Sequence, residues 1–174
     1  MSDHPKLSIA IQAAIGFILL RLLAFFLNWN PQFVDTGFLF LSLAALIPLS
    51  IYAIWPRGRN KGFLREVNSS MRLTALFGLI ITVFLFLFYQ FLETEYFELT
   101  REQIINREFK NYESEHNGTT IPEADAEKLQ DNISEFFSIR NYTAIVLVLF
   151  IILSAFYAIL FTALKKLLVQ TRSD

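Results

Sequence analysis

Four long apolar stretches, separated by polar segments, set the pattern of this chain. They cover residues 7–27, 37–55, 73–92 and 142–164, and the last three contain no Asp, Glu, Lys or Arg. A helix rises about 1.5 Å per residue, so about 20 residues cross the ~30 Å hydrocarbon core of a bilayer. Backbone groups in lipid must bond within their own element, and unbroken runs of this length are too long for barrel strands. The pattern predicts an all-α membrane protein with four transmembrane helices, in which residues 1–174 form a single membrane domain.

The polar segment 93–141, between the third and fourth spans, has the composition of a structure that meets water. A capping-box pattern begins at Thr100, and apolar residues follow it at roughly helical spacing. Asn117-Gly118 interrupts this pattern, and Pro122 favours a second helix start. We expect an extracytoplasmic helical hairpin that leaves span three and returns into span four. Its two apolar stripes either face each other or lie on the membrane surface.

Charged residues are divided unevenly between the two sides of the membrane. Four spans place both termini and the 56–72 loop on one side, which carries nine cations against three acids. The 28–36 loop and residues 93–141 carry five cations against thirteen acids. Short loops rich in Lys and Arg stay in the cytoplasm. We therefore expect both termini to be cytoplasmic and the acidic segment to lie outside.

Arg21 is the one charged residue inside an apolar stretch. A charge at the centre of a span costs ~2.5–3.5 kcal/mol on insertion scales and often marks function. No apolar stretch carries an acid, so we expect Arg21 to bond Tyr89, Gln90 or Glu93 at the outer end of span three, or a carbonyl near Pro48. Pro48 cannot donate to the carbonyl of Ala44 and predicts a kink in span two. Arg21 is either a structural residue or one that binds an anion or a lipid headgroup.

The remaining chemistry is sparse. The chain has no cysteine, and His4 and His116 are too isolated to form a zinc site. It contains no Walker A loop, no nucleophile elbow and no dinucleotide fingerprint. We therefore expect no enzyme activity, no cofactor and no metal. The basic 56–72 loop suits anionic lipid headgroups and is too short to suggest nucleic-acid binding.

Part of the sequence resembles a known family. The resemblance is carried by Phe63-Leu64-Arg65-Glu66 through Met71-Arg72-Leu73, by Leu79-Ile80-Ile81-Thr82-Val83-Phe84, and by Phe88-Tyr89-Gln90-Phe91-Leu92 with Glu95-Tyr96-Phe97. These stretches resemble the central segment of a family of small four-span bacterial proteins, common in Bacteroidota, whose domain has no assigned function. The order of three spans, a charged helical segment and a fourth span is also similar. The resemblance implies the bacterial cytoplasmic (inner) membrane and supplies no catalytic residues.

Two functions are compatible with these patterns. The first is a non-enzymatic accessory or scaffold subunit that meets a partner through its acidic outer segment or its basic inner loop. The alternative is a small oligomeric transporter or channel in which Arg21 contacts an anionic solute or a lipid headgroup. Besides the lipid bilayer, the expected partner is another protein or a second copy of the chain.

Overall fold

The computed structural model describes residues 4–55, 62–116 and 120–170. Within these ranges the chain forms helices and no strand. The helices are α1 (His4–Phe26), α2 (Pro31–Ala44), α3 (Leu46–Ile54), α4 (Phe63–Phe91), α5 (Tyr96–Glu115), α6 (Glu123–Phe136) and α7 (Ile139–Gln170). Four segments are long and apolar enough to cross a membrane: Leu7–Phe26, Phe33–Ile54, Phe63–Phe91 and Ile139–Leu168. The predicted all-α class with four membrane-spanning helices is confirmed.

A tight turn ends α1. Asn28 has a positive φ of 52°, which an Asn tolerates better than most residues because its short side chain can bond locally. Its N–H donates to the carbonyl of Phe25 at 3.0 Å, and the N–H of Trp29 donates to the carbonyl of Ala24 at 3.2 Å. These two bonds form a Schellman motif, which satisfies carbonyls left without partners at the helix end. The chain therefore reverses direction within a few residues.

The next helix begins at once. Asn30 precedes α2, and its side-chain oxygen accepts a hydrogen bond from the N–H of Phe33 at 3.4 Å. Pro31 occupies the first helical position, where its missing N–H is not needed. The sequence predicts that span two starts at Gly37, six residues later. That prediction is wrong because Asn30-Pro31 starts a helix, so Asp35 lies inside the helix rather than in a loop.

The second apolar stretch is divided into α2 and α3 at Ala45. Pro48 lies three residues later and has no N–H to donate to the carbonyl of Ala44. The bond from the N–H of Leu49 to the carbonyl of Ala45 is long, at 3.3 Å, whereas the N–H of Ala45 lies 2.9 Å from the carbonyl of Leu41. The helix is thus interrupted one turn before the proline at which the sequence predicts a kink.

Two other helices begin earlier than the apolar pattern predicts. α4 begins ten residues before the third predicted span, and the carbonyl of Gly62 accepts hydrogen bonds from the N–H groups of Arg65 and Glu66. α5 begins at Tyr96, so the capping box predicted at Thr100 is wrong, and Thr100 lies inside the helix. Hydrocarbon thickness limits the length of an apolar stretch, but it does not limit the length of the helix that contains it.

The chain forms two compact units, residues 1–84 with 146–174 and residues 85–145, and α4 and α7 run through both. The description of the chain as one membrane domain stays a prediction. In the first unit, rings from α1, α2, α4 and α7 pack against one another with centroids 5.6–6.4 Å apart, three pairs edge-on and one tilted at 55°. We call these five rings the phenylalanine layer: Phe17, Phe38, Phe77, Phe84 and Phe150.

The second unit has its own aromatic core. Tyr89 is fully buried, and its ring lies 5.1–5.6 Å from those of Tyr96, Phe97 and Tyr142. α5 and α6 contact each other, and Phe97 and Ile133 are buried, whereas Leu99 and Phe136 are 55% and 60% exposed. The extracytoplasmic, antiparallel arrangement of these two helices stays a prediction.

Candidate functional site

Arg21 forms a buried ion pair with Asp35. Nη2 of Arg21 donates to Oδ1 of Asp35 at 2.6 Å, and the two side chains are 2% and 6% exposed. Burial of a single charge in a span is expensive, and an opposite charge at this distance removes the net charge. The prediction that no span carries an acid for Arg21 is therefore wrong. Asp35 lies inside span two because the helix of that span begins at Pro31.

An apolar groove lies beside this ion pair. It has a volume of about 150 Å³, and its walls include Arg21, Trp29, Phe33 and Gly37. A side chain added to Gly37 would meet open space, so this glycine widens the groove. Because Asp35 neutralises Arg21, the groove suits an apolar chain better than an anion.

Gln90 and Glu93, which the sequence predicts as partners of Arg21, belong to the second unit. Gln90 is exposed and Glu93 is half-buried. The N–H of Glu93 donates to the carbonyl of Phe88 at 3.1 Å, where it helps to close the end of α4. A contact of Gln90 or Glu93 with Arg21 stays a prediction, and the partner identified for Arg21 is Asp35.

A second ion pair joins three helices of the first unit. Nζ of Lys165 on α7 donates to Oε1 of Glu66 on α4 at 2.5 Å and to the carbonyl of Ile54 at 2.9 Å. Ile54 is the last residue of α3, where carbonyls lack helical partners and a cation is favoured by the helix dipole. Lys165 is 13% exposed and Glu66 is 5% exposed. One lysine therefore holds the ends of α3, α4 and α7 together.

The phenylalanine layer separates the two ion pairs. Along α2 and α3 the order is Asp35, Phe38 and finally Ile54, which bonds Lys165. Phe38 contacts Phe17, which precedes Arg21 by one helical turn on α1. The layer thus lies next to the first pair, and the second pair lies toward the opposite end of the same unit.

The acidic residues of α5 and α6 face away from both helices. All ten are exposed, and Ile133 on α6 and Phe97 on α5 are buried. Four basic residues on the same helices leave a net charge of -6. In the part of the chain that the structure describes, no three acids or histidines are grouped closely enough to hold a metal ion. We call the ten acids the acidic surface: Glu98, Glu102, Glu108, Glu113, Glu115, Glu123, Asp125, Glu127, Asp131 and Glu135.

Comparison with known families identifies the family to which the chain belongs. Residues 9–166 match the model of a family described as "Protein of unknown function (DUF4199)". The chain belongs to this family. The predicted membership of a family without an assigned function is confirmed, whereas its frequency in Bacteroidota stays an expectation. No curated protein and no solved structure matches the chain.

The matched range of this DUF4199 protein contains both ion pairs. Sequence reasoning identified Arg21 but missed the Glu66–Lys165 pair. A usable signal was present, because Glu66 is the one acid of the 56–72 segment and Lys165 is the first cation after the fourth apolar stretch. Both were read as part of the charge balance of one membrane side and not as partners.

Proposed function

We propose that this DUF4199 protein is a non-enzymatic accessory or scaffold subunit of the bacterial inner membrane, and that its acidic surface binds a partner protein with a basic face. The observation that carries the proposal is that all ten acids on α5 and α6 are exposed. The buried residues of these helices are the apolar Phe97 and Ile133, so the acids have no packing role in them. A net charge of -6 on two helices steers a cationic partner and fixes its orientation.

The first unit supports an anchoring role more than a transport role. A pore or carrier lines its path with polar groups that can bind the solute. Here the charges of Arg21 and Asp35 satisfy each other, as do those of Glu66 and Lys165. The phenylalanine layer packs rings from α1, α2, α4 and α7 against one another between these pairs. These features favour a rigid anchor for the acidic helices.

The cytoplasmic placement of both termini is part of this proposal. It is supported by the excess of cations beside the ends of the spans, which include the exposed Arg65 and Arg72. The predicted basic docking loop centres on Arg57, Arg59 and Lys61, which lie outside the described residues. In this topology the basic segment meets anionic headgroups at ~1 kcal/mol per cation, and the acidic surface lies on the opposite side.

Photo-crosslinking in native membranes tests the proposal. A photoreactive residue placed at Glu108, which is exposed on α5, should capture one partner in stoichiometric amounts. Changing the five acids of α6 to their amides should lower the yield at least about tenfold, which corresponds to about 1.4 kcal/mol of binding. The matched control changes five exposed neutral residues of α5 and α6 to serine and should leave the yield unchanged: Gln103, Asn106, Asn111, Gln130 and Asn132.

A flux assay on the purified protein in liposomes tests the alternative. If the protein moves an anionic solute and Arg21→Ala abolishes that movement, it is a transporter and the proposal is wrong. Arg21→Ala removes the cation that bonds the buried Asp35, so a variant that carries both Arg21→Met and Asp35→Leu serves as the folded comparison. Equal capture of the partner by wild type and the amide variant of α6 would also contradict the proposal.

A further inference from the structure

Four buried hydroxyl groups lie on the three helices that meet at Lys165. They belong to Ser50 on α3, Ser70 on α4, and Ser154 and Thr162 on α7, and none of these residues is more than 1% exposed. Among the described residues, none of the four hydroxyls has a hydrogen-bond partner. A buried polar group without a partner costs about 1–3 kcal/mol, and four in one region are unusual.

Other buried hydroxyls of the same unit bond to their own helix. Oγ1 of Thr74 donates to the carbonyl of Ser70 at 3.0 Å, and Oγ1 of Thr82 donates to the carbonyl of Gly78 at 2.8 Å. This back-bonding is the ordinary arrangement for Ser and Thr inside helices. The four hydroxyls do not use it, so they need a different partner.

Two contacts establish how α4 and α7 lie against each other. A Cβ on Gly78 would lie 2.7 Å from Cβ of Phe150, and Nζ of Lys166 lies 5.3 Å from the ring centroid of Phe63. Residue numbers fall on α7 as they rise on α4, so the helices are antiparallel. Both contacts agree on the register to within one residue.

This register brings the hydroxyls to matching levels. Steps of one turn from the Gly78–Phe150 contact run toward lower residue numbers on α4 and toward higher ones on α7. They give three facing pairs: Thr74 with Ser154, Ser70 with Ala158, and Glu66 with Thr162. On α3, Ser50 precedes the Lys165-bonded Ile54 by four residues, just as Ser70 follows the Lys165-bonded Glu66 by four. Ser50 and Ser70 therefore lie at one level, about 6 Å from the ion pair by helical rise.

The four hydroxyls therefore form a column, which we call the hydroxyl column: Ser50, Ser70, Ser154 and Thr162. From Thr162 to Ser154 it extends over about 12 Å of helical rise. At one end the column begins beside the Glu66–Lys165 pair. One turn beyond Ser154 it ends at Phe150, a member of the phenylalanine layer.

We propose that the hydroxyl column binds a short file of water molecules that reaches from the Lys165 end to the phenylalanine layer. Each hydroxyl both donates and accepts, as water does, and a buried water typically makes about three hydrogen bonds. Glu66 and Lys165 neutralise each other, so the column carries no net charge that would attract an ion. The facing residue Ala158 contributes only a methyl group at the level of Ser50 and Ser70.

Two apolar variants test this inference, because bound water determines whether their unfolding equilibrium constant rises or falls. If water bonds the hydroxyls, Thr162→Val and Ser154→Ala each remove a hydrogen bond and raise the unfolding equilibrium constant about fivefold. If the hydroxyls are dry and without partners, the same changes lower that constant. Thr82→Val is the control for loss of a hydroxyl that bonds its own helix, at Gly78. The full chain is unfolded reversibly in lipid bicelles.

A direct measurement on the unaltered protein does not depend on how the variants fold. Magnetisation transferred from water in solid-state NMR, with ¹³C-labelled Ser and Thr in deuterated lipid, should reach Thr162 and Ser154 much faster than Thr82. Thr162→Val and Ser154→Ala assign the two signals. Transfer to Thr162 and Ser154 no faster than to Thr82 would overturn the proposal, as would a gain in stability in both variants.

Discussion

The two ion pairs of the first unit use the same chemistry in different surroundings. Arg21 and Asp35 lie on consecutive helices, 14 residues apart, and both are almost fully buried. Glu66 and Lys165 are 99 residues apart, and Lys165 keeps 13% of its surface exposed. The first pair neutralises a charge inside a span, whereas the second holds three helix ends together. The comparison suggests that burial sets the cost of breaking a pair, and that sequence separation sets what the pair holds in place.

Removal of Asp35 should give the largest effect. Asp35→Ala removes the acid that bonds the buried Arg21, and breaking a buried pair in this way costs about 3–5 kcal/mol. The free energy of unfolding in bicelles measures the loss. A loss below about 1 kcal/mol would mean that Arg21 reaches water or another acid, and the contrast between the two pairs would disappear.

A double variant separates the cost of a lone charge from the value of the pair. Replacing Arg21 with Met and Asp35 with Leu leaves no charge to bury, and such exchanges are often neutral or stabilising. We expect the unfolding free energy to return to within about 1 kcal/mol of the wild type. A double variant as unstable as Asp35→Ala would show that the pair itself specifies the fold.

Gly78→Ala should have an intermediate effect and should couple to only one pair. The added Cβ would lie 2.7 Å from the side chain of Phe150, so α4 and α7 must move apart, at a cost of about 1–3 kcal/mol. The control is Gly16→Ala, because a Cβ at Gly16 meets open space. Gly78→Ala should be non-additive with Glu66→Gln, which lies on the same helix pair, and additive with Asp35→Ala. Equal coupling to both would show that the two pairs are not independent.

Neutralising Glu66 should give a smaller loss of unfolding free energy than Asp35→Ala or Gly78→Ala. In Glu66→Gln, Lys165 keeps its bond to the carbonyl of Ile54, and its long stem lets the ammonium group move toward water. We expect a loss of about 1–2 kcal/mol in unfolding free energy, the value of a hydrogen bond to a charged group. Glu135→Gln on the exposed acidic surface should stay within ±0.5 kcal/mol. A loss from Glu66→Gln as large as that from Asp35→Ala would remove the distinction drawn from burial.

The span positions could be predicted because the absence of charge over about 20 residues has a single physical explanation in a bilayer. The start of α2 could not, because Asn30-Pro31 serves equally as a turn signal and as a helix cap. If Asn30-Pro31 is interpreted as a turn, Asp35 lies in a loop and is not expected to be the partner of Arg21. The Glu66–Lys165 pair depends on how α3, α4 and α7 pack, and a helix that is apolar all round does not reveal which face is buried.

The phenylalanine layer could not be predicted from the sequence for the same reason. Nineteen phenylalanines occur in the chain, and many of them face outward, such as Phe26, Phe40 and Phe91. Composition therefore indicates a lipid-embedded protein without saying which rings meet inside it. The acidic surface was easier to predict, because polar residues that alternate with apolar residues at helical spacing are expected to be exposed.

The separation of 99 residues between Glu66 and Lys165 has a consequence for biogenesis. Chains are synthesised from the N-terminus, so Arg21 and Asp35 can meet as soon as the first helical hairpin has left the ribosome. Glu66 has to wait for the synthesis of another 99 residues before Lys165 can bond it. The contact between α3, α4 and α7 at Lys165 is therefore completed only when α7 has been made.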